Sequence, residues 1–372
     1  MLPENLIQTL ETPCIVIDER VAKENIQRMQ QKVSEYGCKL RPHIKTHKMP
    51  YFAKLQLEAG ASGICSCKVS EAEVMADGGI NDIFIAYPLV GKMKTARAMA
   101  LAQRVRRLIL AVDSIAQATA LNEAAEEAGI IVEVRMEVDT GAKRTGVTKA
   151  NRIELAKAIQ GMKNLNMTGI YTFKSLILHD QPTEDNEAAG MEEGQMMQEI
   201  AAELKEIGFE NLEISGGSTP TGLFVAKSGC VDEVRPGTYI FNDYMLTKEK
   251  AASCDQVAVR LYATVVSVPC DEYAVIDGGT KTFPMDILLD QPPYYYNSYA
   301  MVQGREDLEL RRMNEEHGIL VSTSGKVNLE VGQVLELMPI HVCTAINMQN
   351  NVYIYDGEIL RKEKVAGRGM LF

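Results

Sequence analysis

No stretch of these 372 residues approaches the ~18 consecutive apolar residues that a membrane-spanning helix requires, so no membrane association is expected. There is no basic surplus either. Thirty-nine Lys and Arg stand against 50 Asp and Glu, a net charge of −11, and nucleic acid, which is held by a basic surface, is not an expected partner. The first residues, Met1-Leu2-Pro3-Glu4-Asn5, carry neither the positive nor the apolar stretch of a secretory signal. Eight cysteines are scattered without framework spacing, which suits reduced thiols in the cytoplasm. Internal repeats and low-complexity linkers are also missing. What remains is ordinary in the useful sense. Hydrophobic residues make up 46% of the chain, enough for a sizeable core, and the length fits one large domain plus a smaller one. The size is that of an enzyme.

From about residue 38 to 240 short β-rich runs alternate with helical ones. Strands are expected over 40–45, 63–68, 82–87, 108–112, 131–138, 167–173, 212–215 and 231–235. Helical periods between them stop at Gly37, Gly60 and Gly129, as helices ending in a left-handed residue do. Eight alternations with nearly continuous apolar strands predict a parallel sheet, and the count favours a (β/α)8 barrel over a doubly wound fold. After about Tyr244 the texture becomes β-type, with turns at Asp277-Gly278-Gly279 and Asp356-Gly357, and predicts a small all-β domain. Segment 291–316 reads as a long loop or insertion. A strand near Cys14 fits either region.

Active sites of such barrels lie at the carboxyl ends of the strands, and unusual residues fall there. Arg41-Pro42-His43-Ile44-Lys45-Thr46-His47-Lys48 closes the first strand. A lysine emerging there beside fixed polar groups can be desolvated and become a Schiff-base nucleophile, with His43 and His47 ordering it; a basic surface loop is the alternative. Arg144 follows the fifth strand. Ser215-Gly216-Gly217-Ser218-Thr219-Pro220-Thr221 follows the seventh, and Arg235-Pro236-Gly237-Thr238-Tyr239 the eighth. Either loop alone reads as a turn. Together, across from a strand-end lysine, their backbone N–H groups and hydroxyls read as a phosphate cradle. Lysine plus phosphate cradle points to pyridoxal phosphate (PLP), with Arg144 placed to donate to the ring's phenolic oxygen or else lying exposed. Separately, His341-Val342-Cys343 on an extended strand would present imidazole and thiolate on one face, a donor set suited to Zn²⁺. Cys65 and Cys67 read as buried thiols.

With these blocks in hand the chain resembles a family: fold-type III PLP enzymes of the D-threonine aldolase and D-serine dehydratase group, related to alanine racemase. The resemblance covers most of the chain. It rests on Thr12-Pro13, the Arg41–Lys48 block, Gln56 with Gly60-Ala61-Ser62-Gly63, Ser70-Glu71-Ala72-Glu73, Val138-Asp139-Thr140-Gly141 with Arg144-Thr145-Gly146, and the Ser215–Thr221 loop. It continues through Arg235–Tyr239, Asp277-Gly278-Gly279-Thr280-Lys281, Glu315-Glu316-His317-Gly318 and Pro339-Ile340-His341-Val342-Cys343.

The resemblance implies a (β/α)8 (TIM) barrel of the alanine racemase type over residues 12–244, and an all-β domain carrying the metal pair over 1–11 and 245–372. It implies a homodimer acting on a small D-amino acid. Lys45 matches the imine lysine, Arg144 the arginine facing the cofactor ring, and Tyr171 a cofactor-contacting tyrosine. Ser218, Thr219, Gly237 and Thr238 match the phosphate loops, and His341 with Cys343 a divalent metal pair, zinc by its donors. Cys343 tilts the chain toward the dehydratases, since the aldolases carry an aspartate shortly after the histidine. The implied activity is a PLP- and metal-dependent lyase on a D-β-hydroxy-α-amino acid. A racemase or epimerase of the same fold, which needs no metal, and a non-catalytic PLP-binding protein, which needs no β-domain, are the alternatives. One departure stands out: Lys174-Ser175 replaces the family's Gly-His or Gly-Asn. Lys174 there is either a recognition group for an extra anion or a solvated loop lysine.

Overall fold

The computed structural model describes residues 2–372, which divide into two compact units. One comprises Gln27–Lys45, Met49–Gly237 and Met370–Phe372; the other comprises the chain up to Ile26, Thr46–Lys48 and Thr238–Gly369.

The first unit is built on eight parallel strands: β1 Lys39–Leu40, β2 Ile64–Ser66, β3 Asp82–Pro88, β4 Arg107–Val112, β5 Val132–Glu137, β6 Leu165–Tyr171, β7 Glu213–Gly216 and β8 Glu233–Val234. Each pairs with the next from β2 onward, and β8 pairs with β1. The ring closes beyond the end of β1, where His43 and Cys65 form a parallel bridge and Cys65 N–H donates to the Pro42 carbonyl at 2.8 Å. The expected parallel barrel is therefore the observed fold. Period-two alternation sorts its side chains. Ile83, Ile85, Leu108 and Leu110 belong to the large core shared with the helices, whereas Phe84, Ile109, Ala111 and Tyr171 form a separate cluster.

Against the Phe84 cluster lies a buried ion network, with Arg135 Cζ 5.1 Å from the Phe84 ring centroid. Arg41 donates to Glu233 at 2.7 Å and Asp82 at 2.6 Å, while Arg135 donates to Glu233 at 2.7 Å and Glu213 at 2.5 Å. Burial alone would raise the Glu233 pKa, but the two guanidinium groups hold it well below the usual carboxylate range. Gly63 has to be a glycine because a Cβ would stand 2.2 Å from Arg41 Nη1. Glu233→Gln leaves two buried guanidinium groups short of a counter-charge. It should destabilise the barrel by about 3–5 kcal/mol, read as a lower denaturation midpoint at unchanged m-value.

In the second unit a ring of six antiparallel strands closes on itself, in the order Tyr273–Ile276, Gly318–Ser322, Leu308–Met313, Ala300–Val302, Val334–Pro339 and Val259–Cys270. The strand Cys14–Asp18, which its sequence left open, extends this sheet beside Val259–Cys270 and is followed by Asn351–Tyr355 and Leu360–Lys364. Two of the six ring strands fall where a loop was expected, at 291–316. A bulge between Leu310 and Arg312 breaks the alternation there, which is why the period-two signal was lost. Among the described residues no helix is long and apolar enough to cross a membrane, and all eight cysteines are free thiols.

Candidate active site

At the carboxyl end of β1 the chain turns through a short 3₁₀ segment, Ile44–Thr46, which presents Lys45. His43 orders it: the Lys45 backbone N–H donates to His43 Nδ1 at 3.3 Å, and His43 Nε2 lies 3.3 Å from Cys67 Sγ. Cys67 is therefore a partly exposed partner of the lysine block rather than a buried thiol like Cys65, whose pKa burial pushes up to about 12.

Arg144 is delivered by the loop after β5. Asp139 accepts there from Gly141 and Lys143 N–H at 2.9 and 3.1 Å. Gly146, at φ 106°, leaves no room for a Cβ, which would meet Asp139 N at 2.7 Å. Phe173, just past β6, brings the two cations together. Lys45 Nζ lies 5.8 Å and Arg144 Cζ 4.4 Å from its ring centroid. Phe173 carried no separate signal in the sequence, because it reads as the end of an apolar strand.

Tyr171 is buried, and its hydroxyl donates to Glu137 at 2.8 Å while Arg235 lies 5.0 Å over its ring. Burial raises the Glu137 pKa, against the hydrogen bonds from Thr145 and Tyr171. Arg235 is in turn held by Ser215 Oγ and the Thr172 carbonyl, both at 2.5 Å.

After β7 the loop turns sharply. Gly217 sits at φ 77° and approaches Gly222 so closely that a Cβ would be 3.0 Å from its Cα. Ser218 Oγ meets Thr221 Oγ1 at 2.9 Å and donates to Ser175 Oγ at 3.5 Å. Thr219 is half-buried in the same turn. Gly237 ends the barrel unit and Thr238 opens a 3₁₀ turn, Thr238–Ile240, of the other.

The departure at 174–175 is structural as well as chemical. Ser175, His179 and Asp180 all have left-handed backbones, at φ 61°, 51° and 61°, a strained cluster for non-glycine residues. Lys174 is not a solvated loop lysine: it is 1% exposed and ion-paired with Glu192. Burial lowers its pKa, against the pull of Glu193 and Asp180.

In the second unit, His341 and Cys343 do not lie on a strand. The strand Val334–Pro339 ends before them, and His341 is the N-cap of a helix, Val342–Met348. The helix starts there because the Asp243 carboxylate accepts from Val342 N–H at 3.0 Å, while also capping Tyr244–Lys248 through Leu246 N–H at 3.0 Å. A local β-pattern at 338–343 could not reveal a cap supplied from a hundred residues away. The two side chains still meet, at the cap and in the first turn. Burial lowers the His341 pKa, but the Cys343 sulfur and Asp286, with Asp243 nearby, push it up to about 11. His341 Nδ1 lies 2.6 Å from Asp286 Oδ2. Cys343 Sγ lies 3.1 Å from Thr46 Oγ1 and 3.5 Å from Thr238 Oγ1.

Behind this pair, burial raises Asp243 to about 6 and Glu249 to about 8; Tyr296 donates to Glu249 at 3.2 Å. A carboxyl whose pKa rises on folding adds stability that is complete below its unfolded value, here near 4.5, and disappears as pH climbs through the folded one. Wild-type Tm should therefore fall between pH 5 and 8. Glu249→Gln should flatten that fall and gain on the order of 5 °C at pH 8.5 by calorimetry.

The family model "Alanine racemase, N-terminal domain" matches residues 17–245, and "Putative serine dehydratase domain" matches 258–355. The chain belongs to this family. It is an enzyme, a PLP-dependent lyase. It is 30% identical to a D-threonine aldolase of Arthrobacter sp, over 99% of this chain and 95% of that one. It is 31% identical to the D-threo-3-hydroxyaspartate dehydratase of Delftia sp. strain HT23, over 98% of this chain and all of the relative. The solved structure of that dehydratase superposes with a TM-score of 0.87, covering 96% of this chain and 98% of that one. Solved variants of a D-threo-3-hydroxyaspartate dehydratase replace by alanine a histidine and, two residues on, a cysteine; the cysteine variant is described as a metal-free form.

The residues present fit both groups. For PLP the barrel offers a primary amine and a guanidinium over one ring, and a glycine turn bearing hydroxyls. For a divalent ion the second unit offers nitrogen and sulfur. A carboxylate on Nδ1 leaves Nε2 as the donor, the usual support for a metal-bound imidazole. Two protein ligands would leave positions for substrate or water; among the described residues no group of three or more His, Cys, Asp or Glu is placed to hold an ion.

Proposed function

We propose that this family member is a PLP- and metal-dependent lyase of D-β-hydroxy-α-amino acids, working as a D-serine dehydratase-like ammonia-lyase. The reading takes Lys45, Arg144, Tyr171, Ser218, Thr219, Gly237 and Thr238 as cofactor residues, His341 and Cys343 as ligands of a zinc ion, and the working form as a homodimer. The observation that carries it lies within the barrel unit, where the Lys45 amine and the Arg144 guanidinium share the Phe173 ring, at 5.8 and 4.4 Å from its centroid.

Bound PLP supplies an electron sink for charge at Cα, and a divalent ion supplies a Lewis acid for the β-hydroxyl. The chain's own residues do the rest. The Lys45 amine would hold the cofactor, and its Nζ would take the Cα proton of the substrate. Arg144 holds negative charge beside Phe173. Asp286, 2.6 Å from Nδ1, orients the imidazole, and Nε2 would be its donor to such an ion. Loss of the Cα proton and of the β-hydroxyl, together one water, leaves an enamine whose imine tautomer takes up one water to give a 2-oxo acid and ammonia. Removal of the hydroxyl proton instead would cleave Cα–Cβ, as an aldolase does. Cys343 favours the first outcome, because the solved dehydratase variants alter the same His-x-Cys spacing. Product analysis on D- and L-3-hydroxy amino acids tests this. Ammonia and 2-oxo acid from the D-isomers are expected. Glycine and aldehyde as sole products would make it an aldolase, and an L-preference would overturn the substrate class.

A further inference from the structure

Helix Asn186–Lys205 places Glu193 entirely out of solvent beneath the turn that follows β7. One carboxyl oxygen, Oε1, accepts from Gly217 N–H at 2.7 Å. The other, Oε2, is buried without a hydrogen-bond partner. Gly216 makes the approach possible, since a Cβ there would stand 2.9 Å from Oε1. The charged groups facing Glu193 are Lys174, from the loop after β6, and Arg235, from the end of β8. Glu192 and Asp180 bear on it through Lys174. An acceptor-only carboxylate directly under a turn read as an anion cradle is a conflict unless it has a role. It occupies a backbone donor that an anion would use, and its charge repels one.

We propose that Glu193 is a positioning residue for the anion loop: through Gly217 it fixes the turn, and its protonation state sets how tightly the Ser218 loop holds a phosphate. This rests on reading that loop as the cofactor's phosphate cradle. Protonated, the side chain keeps Oε1 as the acceptor for Gly217, carries no charge, and has an O–H for the orphan position. Ionised, it places a negative charge behind the cradle. Burial, against Gly217, Arg235 and Lys174, holds its pKa up at about 7, so the change falls where it can be titrated. An incoming phosphate raises that pKa further, and binding then takes up a proton. Affinity must fall as pH rises above 7 and be level on the acid side.

The experiment measures binding of PLP and of pyridoxal, which lacks the phosphate, to the apo protein from pH 6 to 8.5 by absorbance of the lysine-bound cofactor. In wild type the PLP dissociation constant should rise about tenfold more than that of pyridoxal over this range. Glu193→Gln keeps the acceptor and loses the charge, and should remove that excess. Glu193→Ala loses the acceptor and should weaken PLP, but not pyridoxal, at every pH. Parallel PLP and pyridoxal profiles in wild type overturn the proposal even if neither variant folds. So does a Glu193→Gln profile that matches wild type. Absence of any PLP binding by wild type would instead sink the proposed function, and this inference with it.

Discussion

Lys45→Ala protein should fold with an unchanged melting profile, show no visible band on adding PLP, and lose at least about 10³-fold in turnover. The expectation follows from two roles converging on one atom. Nζ lies with Arg144 over the Phe173 ring, and the same nitrogen is the proposed base at Cα. Losing an anchor alone would raise the cofactor requirement, and excess PLP would restore activity. Losing the base alone would leave the band. Removing both leaves neither route, so added PLP with a small amine should restore the band more readily than turnover. A Lys45→Ala protein that keeps the wild-type band would place the cofactor on another lysine. Lys174, a buried lysine in the loop after β6, would then be the candidate, although its ion pair with Glu192 opposes that role.

Cys343→Ala and His341→Ala should each lower D-3-hydroxy amino acid turnover by about 10²–10³-fold while leaving the PLP band intact. Chelation should reproduce the loss in wild type and add nothing in the variants. The band separates this result from a folding defect, because Lys45 and Arg144 belong to a unit that contains neither ligand. Asp286→Asn tests the supporting shell. The amide still accepts a hydrogen bond from Nδ1 but no longer carries charge, so metal affinity should weaken by about 10–100-fold and extra zinc should rescue the activity. Wild-type turnover that survives chelation, together with an active His341→Ala, would remove the ion from the mechanism and return the racemase alternative, which needs none.

Much of this was legible without coordinates, and the reason lies in which signals are local. The barrel announced itself because most of the parallel strands are largely apolar and several helical periods stop at a recognisable glycine, as at Gly129, which is in the left-handed conformation. Lys45, Arg144 and the two glycine loops could be named because each directly follows a predicted strand. Residues whose role depends on a distant partner were not legible. Asp286 acts on a histidine 55 residues later, Asp243 caps a helix 99 residues later, and Glu193 reaches a loop 24 residues on. None has a neighbour in sequence that hints at it. The extended reading of His341–Cys343 failed for the same reason, and the strands inside 291–316 were hidden by a bulge.

The sequence by itself determined the fold class and the family, and it named the candidate lysine and donor pair on which the proposed function rests, since periodicity and motif spacing are properties of contiguous residues. Only the tertiary structure decided that Phe173 gathers the two cations, that Lys174 is buried and already paired, and that a carboxyl without a full set of partners lies beneath the Gly217-Ser218 turn. Those are matters of burial and of donors left over after pairing, and they exist only once strands and helices from distant parts of the chain have closed around the same few ångströms.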